Sequence, residues 1–192
     1  AVAIGITEGL GACVVPNDAC QFWSGGYVNL SRFGTDAVIR GDKQSLTGAL
    51  MRLSRDLSPP AILTLLLSAG VMVLGMVAAK RQIDSGNEVT GLVCIAMASL
   101  LASPISWTHH WVWVVIALLV LVQGGHRVAG TLLGVIFALG PMWFAPRGQL
   151  LELQHNWWQI AACASYVFVG LVLLISFAFR PQASTVIRVV PD

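Results

Sequence analysis

The chain has 192 residues, of which 56% are hydrophobic and 10% are charged, and its mean hydropathy is +0.77. Soluble domains carry about 25% charged residues, so this composition excludes an ordinary soluble domain. The net charge of +2 is too small to indicate nucleic-acid binding. The apolar residues are grouped in long blocks with the charges between them, which is typical of membrane spans.

The first 58 residues divide into two parts. Residues 1–15 are apolar apart from Glu8 and predict the end of a truncated transmembrane helix. The chain starts at Ala1 without Met and without the layout of a signal peptide, so we expect it to be the C-terminal part of a longer protein. Residues 16–58 are the least apolar segment and predict an extracytoplasmic loop.

The end of this loop has a helical pattern. Leu46, Leu50, Leu53 and Leu57 recur at spacings of 4, 3 and 4, which predicts a short amphipathic helix, and Ser45 is the expected N-cap. The helix is predicted to lie on the membrane surface with its arginines at headgroup depth. An amphipathic helix packed on the spans fits the same pattern.

Residues 59–180 contain five apolar blocks, each near the roughly 20 residues that a spanning helix needs. Their approximate ranges are 61–79, 89–107, 111–123, 128–145 and 159–179. Residues 181–192 are expected to form a cytoplasmic tail. With alternating spans, one set of basic residues falls on the cytoplasmic side by the positive-inside rule: Lys80, Arg81, Arg127, Arg180 and Arg188. All seven tryptophans then fall on the outer side. The predicted fold is an all-α, polytopic transmembrane helical bundle in the cell membrane.

Residues 103–113, Ser-Pro-Ile-Ser-Trp-Thr-His-His-Trp-Val-Trp, lie between the second and third predicted spans. His109 and His110 stand between tryptophans, and an imidazole can donate a hydrogen bond, accept one, or exchange a proton near neutral pH. Interfacial anchoring is the alternative role for this pair. His126 is predicted on the opposite side and His155 has no ligand spacing to the pair, so we predict no metal and no cofactor.

A second group of candidates lies in the outer loop. Arg32, Arg40 and Arg52 would face anionic headgroups or the phosphate of a lipid. Plain attraction to headgroups is the alternative interpretation for these cations.

The double-histidine stretch resembles a motif of glycosyltransferase family 87. An upstream run in this chain is also similar to the outer loop of that family. It comprises Phe22-Trp23, then Ser31-Arg32-Phe33-Gly34, then residues 44–53, Gln-Ser-Leu-Thr-Gly-Ala-Leu-Met-Arg-Leu. Members are polyprenol-phosphate-mannose-dependent α-mannosyltransferases with the GT-C membrane fold. The resemblance covers nearly the whole chain but only about the C-terminal half of a family member.

The resemblance implies transfer of mannose from a polyprenyl-phosphate donor to a glycolipid or lipoglycan acceptor of the cell envelope, on the outer leaflet of a bacterial plasma membrane. It implies catalytic roles for His109 and His110, donor or phosphate binding by Arg32, Arg40, Gln44 and Arg52, and a cavity rim formed by Trp107 and Trp111. The catalytic base of the family is a carboxylate from an earlier loop that is not in this sequence, so we expect the fragment to be inactive alone.

The chain departs from the family pattern at two positions. Lys43 stands where Asn usually precedes the Gln-Ser pair, and Thr108 stands where an acidic residue is frequent. A transporter or flippase subunit and a non-catalytic membrane scaffold are the alternative functions. A transporter predicts an internal repeat or paired broken spans, and the sequence shows no internal repeat.

Overall fold

The computed structural model describes residues 9–10, 12–21 and 37–179. Its helices are α1 (Pro16–Gln21), α2 (Leu46–Ser54), α3 (Ala61–Asp84), α4 (Glu88–Ala102), α5 (Trp113–Gln123), α6 (Arg127–Leu139), α7 (Trp157–Cys163) and α8 (Ser165–Phe179). Short 3-10 helices cover Thr108–Val112, Pro141–Phe144 and Leu151–Gln154. Within the described ranges there is no β-strand, which confirms the all-α fold.

The chain divides into two compact units, residues 1–37 and residues 38–192. The described part of the first unit contains α1, a helix of six residues with no buried residue. Most of the truncated helix predicted for residues 1–15 lies outside the described residues, as does the cytoplasmic tail predicted for residues 181–192. The second unit contains helices α2 to α8 and the core.

The helices follow the predicted apolar blocks. Helix α3 and the segment Arg127–Phe144 are long and apolar enough to cross a bilayer. Helices α7 and α8 form a third such segment if taken as one span, with a bend of 63° at the break between them. Glu88–Ala102 and Thr108–Gln123 are apolar but shorter. The structure therefore confirms a helical membrane protein, and the number of five spans stays a prediction.

Helices α3, α4 and α8 form the centre of the second unit. Small residues allow α3 and α4 to approach closely, because a side chain on Gly75 would overlap the Ala98 methyl group. Leu101 and Leu174 are fully buried in the core that these helices share. Close contact through small residues is the usual way in which helices associate in a bilayer, where no hydrophobic force drives them together.

Helix α2 is the amphipathic helix expected after Ser45, and its N-cap is confirmed, because the Ser45 hydroxyl accepts a hydrogen bond from the Gly48 amide at 3.2 Å. Its buried face was not predicted. Leu46, Thr47, Gly48, Met51 and Arg52 are buried, while 68% of Leu53 is exposed. Polar and apolar residues of α2 thus pack inward together, and Arg52 is enclosed by the protein rather than exposed to headgroups as predicted.

Candidate active site

The loop before α2 and the double-histidine stretch are in direct contact. The backbone N–H of Gln44 donates to the Ser106 carbonyl at 2.7 Å, and the backbone N–H of Thr108 donates to the Asp42 carbonyl at 3.1 Å. Between these two bonds, Lys43 and Trp107 form an isolated antiparallel bridge. Two motifs about 60 residues apart in the chain therefore form one backbone ladder, as a shared site requires.

His109 and His110 lie on the 3-10 helix Thr108–Val112, and both side chains are exposed. Their ring centroids are 4.4 Å apart in an edge-on arrangement, and the Trp107 ring lies 5.8 Å from that of His109. The His110 ring instead contacts the backbone of Trp107, whose N–H donates to His110 Nδ1 at 3.3 Å. The pair is thus open to a ligand and has an aromatic wall on one side.

Trp107 and Trp111 have different positions, although both were expected at a cavity rim. Trp107 is half-buried beside the histidines, and the Lys43 ammonium lies over its ring. Only 2% of Trp111 is exposed, and its indole N–H donates to the Gln44 carbonyl at 3.2 Å. Trp111 therefore supports the site from within the core, while the rim position of Trp107 stays a prediction.

Gln44 connects the site to the break between α7 and α8. Its side-chain amide donates to the carbonyls of Gly41 at 2.6 Å and Cys163 at 2.7 Å, and its Oε1 accepts from the Tyr166 amide at 3.2 Å. A broken membrane helix leaves backbone groups that must be satisfied inside the protein. Gln44 supplies these partners and is itself fully buried, so its side chain has no surface that a ligand could reach.

Arg52 has a similar structural position. It is fully buried, and its guanidinium donates to the carbonyls of Ile39 and Arg40 at 3.0 Å, Cys163 at 2.9 Å and Lys43 at 3.3 Å. Burial lowers its pKa to about 10, against the opposing effect of nearby acidic groups, so it is charged at neutral pH. Arg52 fixes the loop before α2 to the helix break, and its fully buried side chain leaves no surface that a ligand could reach.

Arg40 is the candidate whose position suits an anionic ligand. Its side chain is 48% exposed and its Nε lies 3.4 Å from Asp42 Oδ1, so the guanidinium keeps an open side. Arg32 lies outside the described residues, and its predicted role stays a prediction. Of the four residues predicted to bind the donor, Arg40 is the described one that a ligand can reach.

Lys43 is a part of the site that sequence reasoning did not select. Only 1% of its side chain is exposed, and Nζ lies 3.7 Å from Asp42 Oδ2. Burial lowers the pKa of its ammonium to about 8, while Asp42 partly opposes this shift. The adjacent Gln44 and the departure from the family pattern were the sequence signals that could have identified it.

A second polar cluster lies under the loop between α6 and α7. Glu152 and His155 are each 1% exposed. Glu152 accepts from the Gly148 amide at 3.0 Å, and His155 Nε2 lies 2.7 Å from the Pro146 carbonyl. The Arg55 guanidinium donates to the His155 carbonyl at 3.2 Å. These contacts order the loop against α2 and leave both side chains out of reach of a ligand.

A groove lies away from the histidine pair. This groove of about 420 Å³ lies between the turn that begins α4 and the end of α5, and it is lined by residues 86–90, Ile116, Leu119, Val120 and Gln123. It lies at the end of α4 opposite the histidines. Among the described residues no three His, Cys, Asp or Glu side chains are grouped in a way that could hold a metal ion.

The fold and this site therefore belong to an α-helical membrane protein with an exposed histidine pair beside a cationic loop. Its relatives are enzymes: the chain is similar to curated mannosyltransferases that depend on polyprenol-phosphate-mannose. No family model matches the chain, and no solved structure matches it significantly.

Three of these relatives define the match. An "alpha-(1-2)-phosphatidylinositol mannoside mannosyltransferase" of Mycolicibacterium smegmatis is 29% identical over 88% of this chain and 41% of its own length. The protein of the same description in Mycobacterium tuberculosis is 28% identical over 86% of this chain and 40% of its length. A "phosphatidylinositol pentamannoside mannosyltransferase" of Mycobacterium tuberculosis is 30% identical over 88% of this chain and 39% of its length. The chain thus spans about 40% of the relatives it matches.

Proposed function

We propose that this chain is part of a membrane glycosyltransferase of family 87 type. The enzyme would move mannose from a polyprenyl-phosphate donor to a glycolipid or lipoglycan acceptor in the bacterial plasma membrane. The observation that carries the proposal is the backbone ladder between residues 42–44 and 106–108, because it joins the exposed histidine pair to the loop that bears Arg40. The donors and acceptors in the names of the relatives point to the same chemistry.

The site is suited to hold a lipid phosphate at the membrane surface. The polyprenyl chain must stay in lipid while its phosphate meets hydrogen-bond donors and positive charge. Arg40 supplies the accessible charge, and the histidine pair supplies polar ring nitrogens beside the apolar face of Trp107. Donors fixed before the reaction stabilise a leaving phosphate better than mobile water does. We assign the role of general base to no residue of this chain.

The experiment uses the protein in its native membrane. Chromosomal His109→Ala and His110→Ala variants are made separately in the host, and membranes are assayed for transfer of labelled mannose from polyprenyl-phosphate mannose to phosphatidylinositol mannosides. Loss of one hydrogen bond to a charged group costs about 1.5–3 kcal/mol, so at least one variant should lose roughly tenfold or more of its activity.

His126→Ala is the matched control, because His126 lies just before α6, at the other end of α5 from the histidine pair. It should retain wild-type transfer at equal protein abundance. Wild-type transfer in both His109→Ala and His110→Ala would remove the histidine pair from the reaction. Absence of any mannosyl transfer that depends on this gene would refute the proposed function itself.

A transporter predicts paired broken spans. The described residues contain a single pair of bent helices, α7 and α8. At the break between them, the Cys163 carbonyl and the Tyr166 amide are bonded by the side chains of Gln44 and Arg52, so the break is packed inside the protein. No observation favours transport over group transfer.

A further inference from the structure

The orientation of the His110 ring is fixed by a backbone contact. His110 Nδ1 lies 3.3 Å from the Trp107 amide nitrogen, which donates to it. A backbone N–H can only donate, so Nδ1 must be unprotonated and act as the acceptor. A neutral imidazole carries its single proton on the other nitrogen. His110 therefore has its proton on Nε2, and this N–H points away from the backbone bond.

The groups around His110 oppose a positive charge on the ring. Partial burial, the neighbouring His109 and the Lys43 ammonium together hold the pKa of His110 below its ordinary value of 6.5. The Asp42 carboxylate lies between Lys43 and Arg40 and forms ion pairs with both. It is thereby engaged by two cations rather than by the imidazole. At neutral pH the ring stays uncharged, as its backbone contact requires.

We propose that His110 binds an oxygen of the lipid-linked donor's phosphate as a neutral hydrogen-bond donor through Nε2, and that it is not the general base of the transfer. This rests on the proposed function. A nitrogen that already carries a proton cannot take another from an acceptor hydroxyl, whereas it can donate to a phosphate oxygen without change. Arg40 lies on the loop that the backbone ladder joins to the histidine turn, and its exposed guanidinium is available to supply the charge that a phosphate requires.

Substitution of His110 by glutamine or by asparagine distinguishes the roles of the two ring nitrogens. Glutamine places an amide N–H near the position of Nε2, so His110→Gln keeps the outward donor. Asparagine reaches only as far as Nδ1, so His110→Asn can still accept from the Trp107 amide but lacks the outward donor. The two variants are similar in polarity. His110→Gln keeps the outward donor and loses the acceptor at Nδ1, whereas His110→Asn keeps that acceptor and loses the outward donor that the proposal identifies.

The first test is independent of activity. The protein is labelled with nitrogen-15 at its four histidines, purified in detergent micelles, and examined by NMR through the couplings between ring nitrogens and carbon-bound protons. The His110 signals are assigned by their loss in His110→Gln. At pH 7 we expect a neutral ring protonated on Nε2. A ring protonated on Nδ1, or a doubly protonated ring, would overturn the inference and leave the proposed function intact.

The second test measures binding of farnesyl phosphate to the protein in micelles, with farnesol as the uncharged control. We expect His110→Ala and His110→Asn to weaken binding about tenfold, equivalent to about 1.4 kcal/mol, and His110→Gln to weaken it less than threefold. Equal loss in all three variants, or better binding by His110→Asn than by His110→Gln, would overturn the inference. Farnesol binding should not change in any variant. Farnesyl phosphate that binds the wild type no better than farnesol would refute the phosphate site itself.

The two variants are then compared in the mannosyl-transfer assay. His110→Gln should keep most of the wild-type transfer and the wild-type dependence on pH above 7. His110→Asn should lose about tenfold. A role for His110 as general base predicts a different result. Neither amide can accept a proton, so both His110→Gln and His110→Asn should then be inactive.

Discussion

Arg52→Met tests whether the buried guanidinium supports the fold or serves a ligand. Methionine keeps the length and apolar stem of the side chain and removes every donor. The carbonyls of Arg40 and Cys163 each keep a second donor, from the Lys43 amide and the Gln44 side chain. The loss therefore falls on the carbonyls of Ile39 and Lys43, at about 1–3 kcal/mol for each buried group left without a partner.

The magnitude follows from two opposing terms. The lost hydrogen bonds sum to about 2–6 kcal/mol, and removal of a desolvated charge returns part of this. We expect a net loss of about 3 kcal/mol, which for a protein of this size lowers the melting temperature by about 6–12 °C. Thermal unfolding of the purified protein in detergent, followed by size-exclusion chromatography after heating, measures it.

Arg55→Met is the matched control, because Arg55 is exposed and its guanidinium donates one bond, to the His155 carbonyl at 3.2 Å. It should lower the melting temperature by less than about 3 °C. If Arg52→Met melts within a few degrees of Arg55→Met and instead loses phosphate binding, the structural role given to Arg52 is wrong. Binding of a phosphate by Arg52, as predicted from the sequence, would then be the better interpretation.

Three further predictions concern packing and charge. Gln44→Leu should lower the melting temperature and mannosyl transfer together, because the Cys163–Tyr166 break loses its side-chain partners; unchanged stability would contradict this. The free energy of unfolding of the wild type should rise from pH 8 to 10.5. The Lys43 ammonium has a pKa of about 8 in the folded chain and 10.5 ordinarily, so in this range the unfolded chain binds more protons than the folded one. Lys43→Met should abolish this rise in denaturant titrations, and an identical pH profile would refute it. Gly75→Leu should cost about 1–3 kcal/mol by forcing α3 from α4, whereas Gly70→Leu, facing open space, should cost little in the same melting assay; equal effects would contradict the close contact.

Several features of the fold could be predicted from the sequence because they depend on local composition. The apolar blocks predicted helices that the structure places at nearly the same residues. Ser45 was predicted as an N-cap from residue type and position alone, and its hydroxyl makes that bond. The expectation that the histidines and the loop before α2 lie together came from alternation of the spans, and the ladder at Lys43 and Trp107 brings them into contact.

The inward face of α2 could not be predicted from the sequence. In a soluble protein, the apolar side of an amphipathic helix is predicted to face the core and its polar side to face water. In a membrane protein, the apolar side can face lipid instead. On α2, Leu46 and Arg52 are both buried and Leu53 is exposed, so the leucine stripe does not mark the inward face. The break between α7 and α8 was also missed, since residues 159–179 read as one apolar block.

What the amino-acid sequence determines by itself is where helices form and which residue types carry polar chemistry, because hydropathy, capping and residue chemistry are local properties. Which of those polar residues face a ligand is decided by tertiary structure. By residue type alone, a binding or rim role was predicted for Gln44, Arg52 and Trp111. The broken helix is distant from them in sequence, yet Gln44 and Arg52 donate hydrogen bonds to its backbone. Trp111 is buried, and its indole donates to the Gln44 carbonyl. His109, His110 and Arg40 remain exposed, and only the tertiary structure separates them from the buried candidates.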